Sequence, residues 1–147
     1  MIWKPNVTVA AVVERNGKFL LVEERTRAGP RLNQPAGHLE REESLREGVV
    51  RETLEETAYR FVPEAVVGVY RWPSPAVTYL RFTFSGRVTR RDPKRRLDHG
   101  ILRTVWMTVD ELRAAPERHR SPLVMRCIDD YLAGKRYPLE LLTHYEA

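Results

Sequence analysis

Three glutamates, Glu52, Glu55 and Glu56, lie close together in a predicted helix. At 3.6 residues per turn, these positions share one narrow arc of the helix surface. Like charges at this spacing destabilise a helix by about 0.2–0.5 kcal/mol per pair. A divalent cation would reverse that cost, because hard cations such as Mg²⁺ prefer carboxylate oxygens and share their remaining positions with water and substrate phosphates. A charged solvent face is the alternative, since Glu47, Arg51 and Glu55 form an i,i+4 ladder.

A capping box precedes these glutamates. Ser44 and Glu47 stand at the serine and glutamate positions of the S-x-x-E pattern, which predicts a helix from Leu45 to about Thr57. Val50 and Leu54 lie on a different side of this helix and are expected to pack on a sheet.

Alternating and β-branched apolar runs predict strands around this helix. Asn16-Gly17 predicts a hairpin turn between the first two strands, and the segment around Gly29 and Pro30 is expected to be a loop. A second capping box at Thr108 predicts a short helix. The predicted strands are 7–13, 18–24, 66–72, 77–84 and 102–107, and the last predicted helix is 122–133, with Ser121 as N-cap and Gly134 as C-cap. We therefore expect one α+β domain over residues 1–147, with a mixed or antiparallel sheet.

The composition is that of a globular protein. Of the 147 residues, 42% are hydrophobic and 31% are charged, and no apolar run approaches the roughly 20 residues that cross a bilayer. The first residues lack the apolar region of a secretory signal, and a lone Cys127 permits no intrachain disulfide. These features lead us to expect a cytoplasmic protein without a membrane partner.

The charge distribution suggests an anionic ligand. The net charge is +5, yet residues 40–56 carry seven glutamates and six of the ten residues in 87–96 are basic. An acidic pocket near a basic rim suits a phosphate ester bound through a cation. We expect 87–96 to be a solvated hairpin loop with a turn at Asp92-Pro93, and no nucleic-acid-binding motif accompanies the charge.

The spacing around the glutamates matches a known signature. Gly37, Glu43 and Arg51-Glu52 stand at the fixed positions of G-x5-E-x7-R-E-U-x-E-E-x-G-U, in which U is a bulky apolar residue, and residues 37–59 therefore resemble the Nudix box. Two positions depart from it, since Thr53 replaces an apolar residue and Ala58 replaces the second glycine. Ala58 bears on how the helix ends, because a non-glycine residue resists the left-handed conformation.

The resemblance extends over nearly the whole chain. It implies a Nudix-type α/β/α sandwich with a mixed sheet, and hydrolysis of nucleoside tri- or diphosphates with release of orthophosphate. Hydroxymethylpyrimidine diphosphate and thiamine diphosphate are further candidate substrates that it implies. Together with the box, five segments look like the NudJ-type phosphatases of the Nudix superfamily: 7–10, 33–40, 80–82, 120–124 and 136–140.

The same resemblance implies roles for the box residues. Glu52 and Glu56 are the expected principal metal ligands, with Glu55 completing the site. A carbonyl near Gly37 is a further ligand candidate. The expected ion is Mg²⁺, with Mn²⁺ as the alternative. Glu43 and Arg51 are expected to form an ion pair that sets the geometry of the loop and helix.

Residues outside the box supply candidates for the remaining roles. Asp98 is the candidate for the base that accepts the proton of the attacking water, with His99 as the weaker alternative. Arg25 and Arg31 are candidate phosphate contacts, and Arg81, which alternates with apolar neighbours along its strand, is a third. The aromatic residues that flank Pro73-Ser-Pro75 could stack on a base or simply pack in the hairpin: Tyr70, Trp72 and Tyr79.

Two alternatives remain open at this point. One is a Nudix pyrophosphatase for ADP-ribose or oxidised nucleotides, and the other is a non-catalytic module that binds a nucleotide or RNA. The three intact glutamates argue against the second alternative. No phosphate-binding loop of the G-x-x-x-x-G-K-[ST] type and no zinc-ligand spacing is present. The active form is expected to be a monomer or a homodimer.

Overall fold

The computed structural model describes residues 1–147. Seven strands and three α-helices follow one another along the chain, with two short 3₁₀ turns at Pro116–Arg118 and Leu139–Leu141. The strands are β1 Asn6–Arg15, β2 Lys18–Thr26, β3 Gly29–Asn33, β4 Ala36–His38, β5 Tyr59–Pro73, β6 Thr78–Arg91 and β7 Ile101–Thr108. The helices are α1 Leu45–Thr57, α2 Val109–Arg113 and α3 Leu123–Leu132.

The sheet is mixed. Its strand order is β3-β2-β1-β6-β5, with β4 paired to β1 and β7 paired to β2. β1 and β6 run parallel, and the other pairs are antiparallel. The turn between β1 and β2 is formed by Asn16 and Gly17, both with positive φ, as the Asn-Gly pair predicts.

Two hydrophobic clusters occupy opposite faces of this sheet. Val9 and Ala11 of β1 pack with Val49 of α1, whereas the alternate residue Val12 packs with Val124 of α3. Side chains of successive strand residues point to opposite faces. α1 and α3 therefore cover the two faces of one sheet, and the expected α/β/α sandwich with a mixed sheet is confirmed.

The buried face of α1 differs from the predicted one. Val49, Thr53 and Thr57 are buried, whereas Val50 and Leu54 are half-buried. Of these two, Val50 packs against the hydrophobic cluster that includes Val9 of β1, as predicted. Thr53, at the box position usually held by an apolar residue, donates its hydroxyl hydrogen to the Val49 carbonyl at 2.8 Å. That hydrogen bond removes the cost of burying a hydroxyl, so threonine is accommodated at this position.

Several element boundaries also differ from the sequence-based expectation. The segment expected to be a loop forms β3 and is followed by the three-residue β4, and both are held by partners distant in the sequence. β6 continues to Arg91, so the first half of the basic segment is strand, with the turn beginning at Asp92. α3 begins at Leu123, one residue later than expected, and Ser121 accepts the Leu123 N–H through its side chain at 3.1 Å. No helix is long and apolar enough to cross a membrane.

Candidate active site

Helix α1 presents the glutamates, and its two ends are fixed locally. Ser44 and Glu47 form the predicted capping box at the first turn. Ala58 ends the helix in the left-handed conformation, with φ of 64° and its N–H bonded to the Leu54 carbonyl. Alanine therefore adopts the geometry that glycine provides in the usual box, at a local conformational cost.

Gly37 lets the Glu52 carboxylate pack directly against the backbone of β4. A Cβ atom at position 37 would lie 2.2 Å from the carboxylate of Glu52, which is closer than any real contact. Gly37 pairs in register with Val9, whose side chain faces α1. Glycine leaves room here for the acidic side chain, which would have to move if position 37 carried a Cβ atom.

The loop before β7 brings a fourth carboxylate to α1. The Asp98 backbone N–H donates to the Glu55 carbonyl at 3.0 Å, which fastens this loop to the helix. One carboxylate oxygen from each of Glu52, Glu55 and Asp98 lies within 4.8 Å of the others. Three anionic oxygens at this spacing form a donor set of the kind that hard divalent cations prefer.

Glu56 lies on the inner side of the same acidic group. Its carboxylate accepts the Ala36 N–H at 3.0 Å. Burial, together with the neighbouring carboxylates of Glu24, Glu52 and Asp98, raises the pKa of Glu56 to about 9. Burial also raises the pKa of Glu52. A protein without a compensating positive charge disfavours these two carboxylates in their charged form, so the residues present fit a bound cation.

Arg51 binds several of these carboxylates at once. Its guanidinium donates to Glu43 at 2.6 and 2.8 Å, to Glu52 at 2.8 Å and to Glu55 at 2.9 Å. A further N–H bonds the His38 carbonyl at 3.0 Å. The hydrogen bonds from Arg51 lower the pKa of Glu43 despite its partial burial. Arg51 thus ties the loop before α1 and strand β4 to the acidic face of the helix.

A cavity of about 750 Å³ opens beside this acidic group. Gly37, Glu52 and Glu56 form part of its lining, and so do the aromatic residues Trp72 and Tyr79. The rings of Trp72 and Tyr79 are stacked at 5.7 Å and 18°. The remaining lining is mainly polar and includes Thr8, Glu24, Asn33, Arg81, Arg120 and Ser121. The lining of the cavity therefore combines carboxylates with a stacked aromatic pair.

The structure places the predicted site residues in different positions relative to this cavity. Glu52, Glu56, Arg51, Gly37 and Arg81 line it. Glu55 and Asp98 adjoin it through Glu52, and Glu43 lies behind Arg51. Arg25 is exposed on β2 and Arg31 bonds the Pro30 carbonyl, and neither lines the cavity.

The sequence does not predict several of the lining residues, and three of these form a hydrogen-bonded group: Glu24, Asn33 and Arg120. They are linked, because Glu24 accepts from Asn33 at 3.0 Å and from Arg120 at 3.2 Å. Their only local signal is that Glu24 follows the apolar run of β2 and Asn33 ends β3. Their proximity depends on strand pairing and on the segment before α3.

Comparison with known proteins identifies the class. A family model of the NUDIX domain matches residues 3–126. The chain belongs to the Nudix family and is a Nudix hydrolase, an enzyme of small phosphate-containing substrates. Nudix hydrolases generally need a divalent metal ion, in keeping with the acidic group on α1.

Particular relatives support the same assignment. Phosphatase NudJ of Escherichia coli strain K12 is 41% identical over 145 residues, which are 98% of this chain and 94% of that protein. A solved NUDIX hydrolase from Nitrosomonas europaea is 56% identical, with a TM-score of 0.94 and coverage of 97% of this chain and 98% of that one. The MutT protein from Methanosarcina mazei Go1, 23% identical with a TM-score of 0.71, covers 92% of this chain and 100% of its own and shares the fold.

Proposed function

We propose that residues 1–147 act as one domain that hydrolyses phosphate anhydrides of nucleoside di- and triphosphates and releases orthophosphate. The observation that carries this proposal is the cavity that joins Glu52 and Glu56 to the stacked pair Trp72 and Tyr79. A nucleoside polyphosphate has charged phosphates for a cation held by the carboxylates and a planar base for the aromatic pair. The similarity to phosphatase NudJ favours orthophosphate as the released product. Hydroxymethylpyrimidine diphosphate and thiamine diphosphate also combine a ring with a diphosphate and are proposed as further substrates.

Mg²⁺ is the proposed cofactor, with Mn²⁺ as the alternative. Glu52, Glu55 and Glu56 would hold it, with a carbonyl near Gly37 as a further ligand, because these groups offer only oxygen donors. When bound, such an ion neutralises phosphate charge and lowers the pKa of a bound water.

The chain's own residues supply positioning and proton transfer. Arg51, held by Glu43, fixes the orientation of Glu52 and Glu55 through short hydrogen bonds. Asp98 is proposed to accept the proton of the attacking water, because its carboxylate lies beside Glu52 and Glu55 and its loop is fastened to α1. Its proximity to the same two glutamates makes a role as metal ligand the competing explanation.

The three arginines predicted to contact substrate phosphate lie in different positions relative to the cavity. Arg81 is the proposed phosphate contact within the cavity. Contacts from Arg25 and Arg31 stay predictions, since their side chains lie outside its lining. The single, buried Cys127 permits no intrachain disulfide, and on this basis we propose a cytoplasmic location. The oligomeric state, monomer or homodimer, stays a prediction.

A substrate panel with separate measurement of orthophosphate and pyrophosphate tests this function. We expect turnover of nucleoside di- and triphosphates with orthophosphate as the product. ADP-ribose and an oxidised nucleoside triphosphate belong in the same panel, because they are the substrates of the alternative that the sequence leaves open. Turnover confined to ADP-ribose, or pyrophosphate as the sole product from triphosphates, would contradict the proposal.

A further inference from the structure

Arg81 is a buried arginine without an acidic partner. It is 6% exposed, and no carboxylate oxygen lies within 4.0 Å of its guanidinium. Its side chain nevertheless lines the cavity. The other two arginines of the lining differ from it, since Arg51 binds Glu43, Glu52 and Glu55, and Arg120 binds Glu24. Arg81 is therefore the cavity arginine that forms no ion pair with a carboxylate of the protein.

Two amide side chains hold the Arg81 guanidinium in place. Its Nη2 donates to the Asn33 Oδ1 at 3.2 Å and its Nη1 to the Gln34 Oε1 at 3.1 Å. Each amide is oriented by a second bond, because Asn33 donates to Glu24 at 3.0 Å and Gln34 donates to the Val124 carbonyl at 2.8 Å. Both amides thus present their oxygen, and not their nitrogen, to Arg81.

The two amides hold the Arg81 guanidinium in place but carry no negative charge that would neutralise it. An unpaired buried charge costs several kcal/mol, and the dipoles of neutral amides offset only part of that cost. Arginine has five N–H donors, of which two are used on these amides and one contacts the Cys127 sulfur at 4.0 Å. Donors and charge remain for a ligand, and an anion supplies the missing counter-charge.

Strand register places Arg81 near the glutamates of α1 but separate from them. Thr8 of β1 pairs with His38 of β4 on one side and with Arg81 of β6 on the other. Arg81 and the β4 segment are thus two strands apart, which is about 10 Å between backbones. Thr8, His38 and Arg81 all line the cavity. One ligand can therefore reach the glutamates and Arg81 together.

We propose that Arg81, positioned by Asn33 and Gln34, is the centre of an anion subsite that binds a phosphate group without the help of a metal ion. The phosphate belongs either to the substrate or to the orthophosphate that the reaction releases. This inference rests on the proposed function in one respect, because the proposed reaction is the reason to expect phosphate as the anion. Charge-assisted hydrogen bonds from a preorganised guanidinium to phosphate are the physical basis of the site.

The test measures binding to the whole chain in the presence of a chelator, so that no divalent cation takes part. Orthophosphate, a nucleoside monophosphate and the uncharged nucleoside are titrated separately by calorimetry. We expect the wild-type protein to bind orthophosphate and the monophosphate saturably, and Arg81→Gln to bind each of them at least about 10-fold more weakly. Arg81→Lys keeps the charge but loses the forked geometry, and is expected to bind with intermediate affinity.

Arg103→Gln is the matched control, because it removes one positive charge at an exposed position outside the cavity. Equal weakening by Arg103→Gln and Arg81→Gln would overturn the proposal in favour of a general charge effect. Absence of orthophosphate binding to the wild-type protein would overturn it too, whether or not Arg81→Gln folds. If Arg81→Gln weakens binding of the nucleoside as much as binding of the monophosphate, Arg81 contacts the nucleoside and not the phosphate. That result would also contradict the proposal.

Turnover measurements then distinguish the two sources of phosphate. A raised KM for a nucleoside diphosphate in Arg81→Lys indicates a substrate phosphate, whereas relief of inhibition by orthophosphate indicates the product. Either result supports the subsite. The binding experiment contains no metal and measures no turnover. A negative result in it would therefore contradict the anion subsite but not the proposed hydrolysis, and a lack of hydrolysis would not contradict the subsite.

Discussion

At the scale of single residues, the site combines glutamates of one helix with side chains from several other elements. Glu52, Glu55 and Glu56 share a face because of helical periodicity alone, so their grouping follows from spacing. Glu24, Asn33 and Arg120 come from different elements and meet through strand pairing and a loop before α3, which no local pattern encodes. The burial of Arg81 is likewise a tertiary feature, although its alternation with apolar neighbours in β6 was visible.

Gly37→Ala tests the packing of Glu52 against β4. The added Cβ would overlap the end of a flexible carboxylate side chain, which can move at little cost to the fold. We expect turnover to fall about 100-fold, because displacement of an active-site group by about 1 Å has effects of that size. The free energy of unfolding, from urea denaturation, should change by less than about 1 kcal/mol.

Gly134→Ala is the control for Gly37→Ala, because it should lower the free energy of unfolding and leave turnover unchanged. Gly134 follows α3, away from the cavity, and its φ is 84° with no neighbouring atom near the added Cβ. We expect unchanged turnover and a loss of about 1–2 kcal/mol of stability, because alanine resists the left-handed conformation. Full turnover in Gly37→Ala would refute the account of the close approach to Glu52.

At the scale of elements, predictions succeeded where the signals were local. The capping box and the Asn-Gly turn fixed the start of α1 and the first hairpin, and both are present. The short strand β3 was expected to be loop because Gly29 and Pro30 are turn and loop signals, and β4 was not predicted. Pairing with β2 and β1 overrides those signals, and only the folded sheet supplies these partners.

Ser44→Ala tests how much the capping box contributes to α1. The Ser44 hydroxyl accepts the Glu47 N–H at 3.1 Å, and alanine leaves that donor without a partner. We expect a loss of about 1 kcal/mol in the free energy of unfolding. Arg46→Ala is the control, because position 46 is exposed in the same first turn and alanine is a favourable helix residue. An equal loss in both variants would show that the cap contributes nothing specific.

At the scale of the whole molecule, the site is lined by residues from both helical layers of the sandwich. α1 and α3 cover opposite faces, yet residues from α1 and from the segment before α3 line one cavity. The three-residue strand β4 makes this contact possible, since Glu52 packs against it at Gly37 and Glu56 binds its Ala36 N–H. Acidic and basic groups therefore lie on the same cavity, in a chain with a net charge of +5.

The most direct test of the proposed function compares orthophosphate release from a nucleoside diphosphate by the wild-type protein and by Glu56→Gln. Each is assayed with Mg²⁺ and again with an excess of chelator, and circular dichroism confirms that both are folded. Glu42→Gln is the matched control, because it removes one exposed glutamate from the loop before α1.

We predict that the wild-type protein and Glu42→Gln release orthophosphate with Mg²⁺ and stop when the ion is chelated. Glu56→Gln is predicted to be slower by about 100-fold or more, because loss of the metal removes several kcal/mol of charge stabilisation. Undiminished release by Glu56→Gln, or release that survives the chelator, would contradict the assignment of this cavity as a metal-dependent phosphate-anhydride site.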